Sequence, residues 1–157
     1  KIKLEKTNVE ISNLVEKLVE ECKAYCKQDQ KINLVIDLDQ NVINVDPKLI
    51  TQILNNLIVN SIKYSNSDSE INVAVKFDKL ENQLSLSVKD NGSGIAKDEI
   101  EHIFEPFFRA KNSKNISGSG LGLSIVKRSV DLHNGKIEVK SEPSVGTEFN
   151  VIIPTNS

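Results

Sequence analysis

The sequence predicts an α+β fold in which a layer of helices covers one face of a mixed sheet. Two observations carry that expectation. Segments with helical apolar periodicity are interleaved with segments that alternate apolar and polar, in the order helix, strands, helix, two strands, loop, helix, two strands. Of the 157 residues 38% are hydrophobic and 27% charged, a balance that lets one core form without disulfides. No internal repeat is visible, so the expectation is a single domain over residues 1–157.

Val9 to Gln28 carries Ile11, Leu14, Val15, Leu18, Val19 and Cys22 at helical spacing between charged residues, which predicts an amphipathic helix. Ile32 to Leu38 alternates as a half-buried strand does, and Val42, Ile43 and Val45 form a shorter apolar stretch. Asp46 before Pro47 marks a helix start, with Asp46 as N-cap and Pro47 at the first helical position. That helix runs through Leu49, Ile53, Leu54, Leu57, Ile58 and Ile62 to about Tyr64. Ile71 to Phe77 and Leu84 to Val88 alternate on either side of a polar segment and predict an antiparallel hairpin. A short helical piece is expected around Lys97 to Ile103. The stretch from Ala110 to Ser119 has almost nothing to bury and reads as a mobile loop. A helix from about Leu121 to Leu132 and strands at Lys136 to Lys140 and Glu148 to Ile152 complete the chain.

Twenty basic residues against 22 acidic ones leave a formal charge of -2, with no broad basic field to hold a nucleic-acid backbone, and nucleic acid is not an expected partner. No apolar run approaches the roughly 20 residues that span a bilayer, and no signal-peptide pattern opens the chain, so no direct membrane contact is expected. A chain without Met that begins at Lys1 is expected to be a piece of a longer polypeptide. Cys22 and Cys26 lie four apart on one helical face without nearby His or further Cys, a pattern that suits core packing in a reducing compartment better than metal binding.

Three segments bear chemistry. On the second helix Asn56, Asn60 and Lys63 are spaced four and three apart, placing two carboxamides and an ammonium on one face. An amide oxygen is a hard ligand suited to Mg²⁺, and an ammonium one turn on can meet phosphate. Taken alone, the stripe is explained equally well as a solvated polar face. Asp90-Asn91-Gly92-Ser93-Gly94-Ile95 stands at a strand end, where a carboxylate can accept from an adenine amino group and glycines allow close backbone approach; an ordinary turn explains the same residues. Gly118-Ser119-Gly120-Leu121-Gly122-Leu123 precedes the third helix, so its N–H groups can line a phosphate pocket. It follows no strand and lacks the acidic residue of a dinucleotide-binding unit, which excludes that alternative.

In this order the segments resemble the sensor histidine kinases, within the wider ATPase superfamily that includes DNA gyrase. The N box lies at Asn56 to Ser65 and the G1 box at Asp90 to Gly94. The F box is Phe104-Glu105-Pro106-Phe107-Phe108-Arg109, and the G2 box is Gly118 to Leu123. The likeness runs from about Asp46, through Leu132-His133-Asn134-Gly135-Lys136-Ile137, to Gly146-Thr147-Glu148-Phe149. It implies a two-layer α/β sandwich: a mixed, mainly antiparallel sheet of about five strands, covered on one face by three main helices, with a flexible ATP lid over Ala110 to Gly118. Implied cofactors are ATP and Mg²⁺.

Residue by residue, the resemblance implies that Asn60 binds Mg²⁺ with Asn56 assisting, and that Lys63 and Tyr64 face the nucleotide. Asp90 would hold the adenine amino group, Gly92 and Gly94 would shape the base pocket, Ile95 would contact the base, and Thr147 would reach it through water. Phe104, Phe107 and Phe108 would anchor the lid, Arg109 would reach the terminal phosphates, and the backbone of Gly118, Ser119, Gly120, Leu121, Gly122 and Leu123 would wrap the phosphate chain. Phosphoryl chemistry would then fall to Asn60, Lys63 and Arg109. Implied partners are a histidine-bearing dimerisation domain upstream of Lys1 and a response-regulator receiver domain, and the implied setting is the cytoplasmic part of a membrane-anchored sensor kinase. Asn134 stands where the family often has Gly; Asn tolerates the left-handed turn.

Hydrolases and protein-serine kinases of the superfamily resemble one another in carrying Glu four residues before the metal-binding Asn. This chain has Asn56 there, and an amide takes up no proton at neutral pH. A binding module that has lost its nucleotide is disfavoured by the presence of Asn60, Lys63, Asp90, Gly94, Gly120 and Gly122. Neither His102 nor His133 has the acidic and Arg neighbourhood expected of a phosphoacceptor.

Overall fold

A computed structural model describes residues 3–108 and 121–155. Strand β1 (Thr7–Glu10) pairs antiparallel with β3 (Val42–Val45), so that Val9 faces Ile43. This pairing removes Val9 and Glu10 from the helix expected there, and α1 runs over Ile11–Cys22. Glu10 does not cap it; Asn41 does so from a distant loop, its carbonyl accepting Ile11 N–H at 3.1 Å and its Oδ1 accepting Ser12 N–H at 3.0 Å. The helical pattern ends early in a 3-10 turn at Lys23–Tyr25. Cys22 is buried and donates to Asn55 Oδ1 at 3.6 Å, and burial pushes its thiol up to about 11, in keeping with a packing role.

Strand β2 (Lys31–Leu38) precedes β3, and α2 (Pro47–Tyr64) starts where the Asp-Pro pair predicts. Asp46 Oδ1 accepts Lys48 N–H at 3.0 Å and Leu49 N–H at 3.3 Å. The expected hairpin is β4 (Glu70–Asp78) and β5 (Gln83–Asp90). A single 3-10 turn at Ile100–His102 stands where a helical piece was expected. Then come α3 (Gly122–Leu132), β6 (Lys136–Glu142) and β7 (Gly146–Pro154). Asn134 takes φ 57, and Gly135 N–H returns to the Val130 carbonyl at 2.9 Å, so Asn makes the left-handed turn after α3.

The main sheet has five strands in the order β2-β4-β5-β7-β6, parallel only between β2 and β4, and the β1–β3 ribbon stands outside it. Ile71, Val73, Val75 and Phe77 of β4, Leu84, Leu86 and Val88 of β5, and Phe149, Val151 and Ile153 of β7 are buried. They form one cluster with Ile11, Val15 and Leu18 of α1, Ile53, Leu54, Leu57 and Ile58 of α2, and Val126 and Val130 of α3. Each fully buried Ile or Leu contributes about 1.5–3 kcal/mol, so this layer of helix on sheet is what holds the strand ends in place. The intervening residues of β4, such as Asn72, Lys76 and Asp78, are exposed, which makes the molecule a two-layer sandwich.

Candidate nucleotide site

The end of β5 meets the end of α2. Asp90 closes β5 and is only 4% exposed; its Oδ1 accepts Gly92 N–H at 2.8 Å, so the following turn orients the carboxylate. Burial pushes its pKa up, and the Ser61 hydroxyl and the N–H groups of Gly92 and Thr147 oppose that shift. Ser61 Oγ meets no partner in hydrogen-bonding geometry, so it acts there as a nearby dipole rather than through a formed bond.

Gly92 packs on the end of α2: a Cβ there would stand 2.3 Å from the Tyr64 carbonyl, which also accepts Ser93 N–H at 3.1 Å. Gly94 packs on the β6–β7 turn with φ +72, and a Cβ there would stand 2.1 Å from the Glu142 carbonyl. At both glycines backbone packs directly on backbone. Ser144 N–H donates to Ser93 O at 2.7 Å. Ile95 N–H donates to Ser141 Oγ at 2.8 Å, and Ser141 Oγ bonds Thr147 Oγ1 at 2.8 Å. Thr147 is the register partner of Asp90 on β7, and both are buried.

On α2, Asn56, Asn60 and Lys63 are half-buried on the face that runs toward this turn. Asn56 Nδ2 donates to the Gln52 carbonyl at 2.7 Å, and its Oδ1 would stand 3.2 Å from a Cβ on Gly122, so the first turn of α3 rests against it. The N-cap position of α3 is Leu121, whose side chain is apolar. Among the described residues, the side chains of Asn60 and Lys63 have no hydrogen bond or ion pair. The structure gathers Tyr64, Asp90, Gly92, Gly94, Ile95 and Thr147 at the end of β5, while Asn56 and Gly122 meet about two turns back along α2, with Asn60 and Lys63 on the stretch of helix between. Arg109, Gly118, Ser119, Gly120 and the expected lid lie outside the described residues.

Phe104 and Phe108 pack against the core, and Phe104 meets Phe149 edge-on with ring centroids 6.5 Å apart. Phe107, expected to anchor alongside them, is 71% exposed at φ 66. His102 also departs from expectation. Its Nδ1 lies 2.8 Å from Glu105 and its Nε2 3.5 Å from Glu101, and Glu105 is the main cause of its raised pKa. His102 thus has the acidic half of the neighbourhood that the sequence reading found missing, on an exposed ring and, among the described residues, without an arginine beside it.

Sequence reasoning missed Ser61, Ser141 and Gly146. Ser61 was findable, because Leu54, Leu57, Ile58 and Ser61 follow the core-facing spacing of α2 and place a hydroxyl where an apolar residue belongs. Ser141 and Gly146 gain their roles only from β6–β7 pairing and from the approach of Asp90, whose carbonyl would stand 2.1 Å from a Cβ on Gly146.

A helix-on-sheet sandwich with a buried carboxylate at a strand end, beside a helix carrying amide and ammonium groups, is the architecture of a nucleotide-binding ATPase domain. The family described as histidine kinase-, DNA gyrase B-, and HSP90-like ATPase matches residues 45–157, and the chain belongs to it. Among its relatives, the sensor protein kinase WalK of Staphylococcus saprophyticus is 38% identical over 112 residues, which are 70% of this chain and 18% of that protein. WalK of Staphylococcus aureus is 37% identical over 111 residues, 69% of this chain and 27% of that one. The chain thus spans less than a third of the curated relatives it matches. Full-length ShkA, solved in complex with AMPPNP, superposes with a TM-score of 0.85 at 26% identity over 99% of this chain and 32% of that one. The nucleotide-free catalytic domain of the histidine kinase ThkA superposes with a TM-score of 0.74 at 26% identity, covering 96% of each. The mycobacterial sensor histidine kinase MprB shares the fold, with a TM-score of 0.81 at 23% identity over 97% of this chain and 99% of that one.

Proposed function

We propose that this chain is the ATP-binding catalytic domain of a two-component sensor kinase, which binds Mg-ATP and donates the γ-phosphoryl group to a histidine on a separate dimerisation domain. The observation that carries this reading is the Asp90 carboxylate, kept out of water and aimed by its own turn. A buried carboxylate without a cation is costly, and a site that keeps one has a use for an acceptor. The adenine amino group supplies the matching donor. Ser61 and Ser93 add buried hydroxyls without partners among the described residues, which a base edge or its bound water would satisfy.

Magnesium fits the donor set. Among the described residues no three His, Cys, Asp or Glu side chains gather to hold a metal ion. The hard oxygens on offer are the amides of Asn60 and Asn56, which suit Mg²⁺ shared with phosphates. When bound, the ion offsets phosphate charge. Asn60 would orient the phosphate chain through it, Lys63 would supply a point charge, and Arg109 would reach the terminal phosphate. Asn56, one Nδ2–H of which is tied to Gln52, offers an amide oxygen and a second N–H but no basic atom, so it directs a ligand and takes no proton from water or a hydroxyl.

The receiving histidine, the response-regulator aspartate that follows it and the membrane anchor belong to this proposal as the setting of the whole kinase. No described helix is long and apolar enough to cross a membrane. The test is incubation with γ-labelled ATP, alone and with a histidine-bearing dimerisation domain added. Acid-labile label on the added domain, and none on this chain alone, is the expected result. Acid-stable label on this chain alone would instead support a hydroxyl kinase.

A further inference from the structure

Helices α2 and α3 touch along a ladder of three rungs. Gly122 rests on Asn56 Oδ1, Ser129 Oγ donates to Gln52 Oε1 at 3.1 Å, and His133 Nε2 accepts the backbone N–H of Asp46 at 2.9 Å. The rungs run in opposite chain directions, so the helices are antiparallel and the last rung joins the end of α3 to the start of α2. Asp46 is also where the N-terminal segment is fastened. One carboxylate oxygen caps α2 through Lys48 and Leu49, and the other accepts Glu5 N–H at 2.8 Å. Three stretches far apart in sequence thus share one buried residue.

We propose that Asp46 and His133 form a joint coupling the N-terminal segment to the two helices that carry the nucleotide motifs, and that this joint holds only while the His133 ring is neutral. A backbone N–H can only donate, so Nε2 must keep its lone pair, and the proton of the neutral ring must sit on Nδ1. Nδ1 is itself buried without a partner among the described residues. A second proton would set N–H against N–H at Asp46 and would bury a charge on a residue 1% exposed.

The charged groups that face the ring are Lys6 in the N-terminal segment and Asp46 at the start of α2. On α3 itself Lys127 and Asp131 pair with each other at 2.8 Å, and Lys136 at the start of β6 is exposed. Burial is the main cause that pushes the His133 pKa down; Lys6 adds to it and the Asp46 carboxylate opposes. Its folded value therefore lies below the unfolded one. The joint's contribution to stability is complete above the ordinary histidine range and is lost as pH falls through the folded value. His133 is a positioning residue, because it touches no reacting atom.

The joint is read without nucleotide; only its effect on ATP rests on the reading given above. The experiment is an NMR titration of this chain from about pH 7.5 down to about pH 5, across the histidine range, following the His133 ring nitrogens and the amides of Glu5, Asp46, Gln52, Ser129 and Gly122. At the upper end the ring should be the Nδ1–H tautomer. Its protonation should accompany loss of protection at Asp46 and Glu5, with exchange, corrected for intrinsic pH dependence, about fivefold faster for the lost hydrogen bond. Shifts at Gln52, Ser129 and Gly122 should follow the same midpoint. His133→Gln places a neutral oxygen near the position of Nε2 and should make all these responses flat with pH. An Nε2–H tautomer at high pH would overturn the joint even if the variant fails to fold. So would ring protonation that leaves Asp46 and Glu5 unchanged, or a variant that responds to pH as the wild type does. In ATP titrations over the same range, affinity should fall further in the wild type than in His133→Gln. Equal falls would overturn the coupling to the nucleotide helices. Absence of ATP binding in both would sink the nucleotide reading and leave the joint to be decided by the amides.

Discussion

Gly92 lies so close to Tyr64 that a Cβ on the glycine would stand 2.3 Å from the Tyr64 carbonyl oxygen. The contact fastens the turn after β5 to the end of α2, and with it the buried carboxylate to the helix face that carries Asn56, Asn60 and Lys63. Gly92→Ala should force the two apart. Overpacking of this kind costs about 1–3 kcal/mol, and chemical denaturation should show that loss together with weaker nucleotide binding. Unchanged stability would mean that the turn and the helix move independently.

Asp90 should be a residue that the empty domain would be more stable without. Its folded pKa is raised, so the stability it contributes is fully present below the unfolded value and is lost as pH rises through the folded value. At neutral pH Asp90→Asn keeps an oxygen for Gly92 N–H and removes the buried charge. Without ligand, the variant should melt at or above the wild-type temperature at pH 7, with its advantage shrinking as the pH is lowered. A marked drop in melting temperature would show that the charge is paired more fully than burial indicates.

Asp46→Ala should weaken the start of α2. An N-cap side chain is worth about 0.5–2 kcal/mol, and here the same carboxylate also holds Glu5 N–H. Thermal unfolding should show a loss toward the upper end of that range. A change below it would mean that the tether to Glu5 contributes nothing.

Asn60→Ala tests the metal. Loss of one oxygen ligand should reduce Mg²⁺-dependent ATP binding and phosphotransfer while leaving adenosine binding nearly unchanged. Equal losses for the two ligands would instead place Asn60 in the base pocket.

What was legible from the sequence was local. The Asp46-Pro47 start of α2 follows from the chemistry of adjacent residues, and the strands β4 and β5 follow from an alternation that one buried face imposes. Strand β1 was not legible, because Val9, its one apolar residue, also suits the helical pattern that follows and its partner β3 lies more than thirty residues on. The site divides the same way. Asn56 and Asn60 share a helix face by spacing alone, whereas the surroundings of Asp90 are assembled from α2, β5 and the β6–β7 turn, and no spacing rule links Ser61, Ser141 and Thr147. The link between His102 and Glu105 was within reach, since residues three apart in a helical turn are neighbours.

Calorimetric titration of the wild-type chain and Asp90→Asn with ATP in the presence of Mg²⁺ tests the central claim most directly. The wild type should bind ATP. The variant presents a donor where the adenine amino group needs an acceptor, a buried mismatch of about 1–3 kcal/mol, so its affinity should fall about tenfold or more with an unchanged circular dichroism spectrum. Equal affinity in the two proteins, with the fold intact in both, would contradict the role of Asp90 as the adenine acceptor.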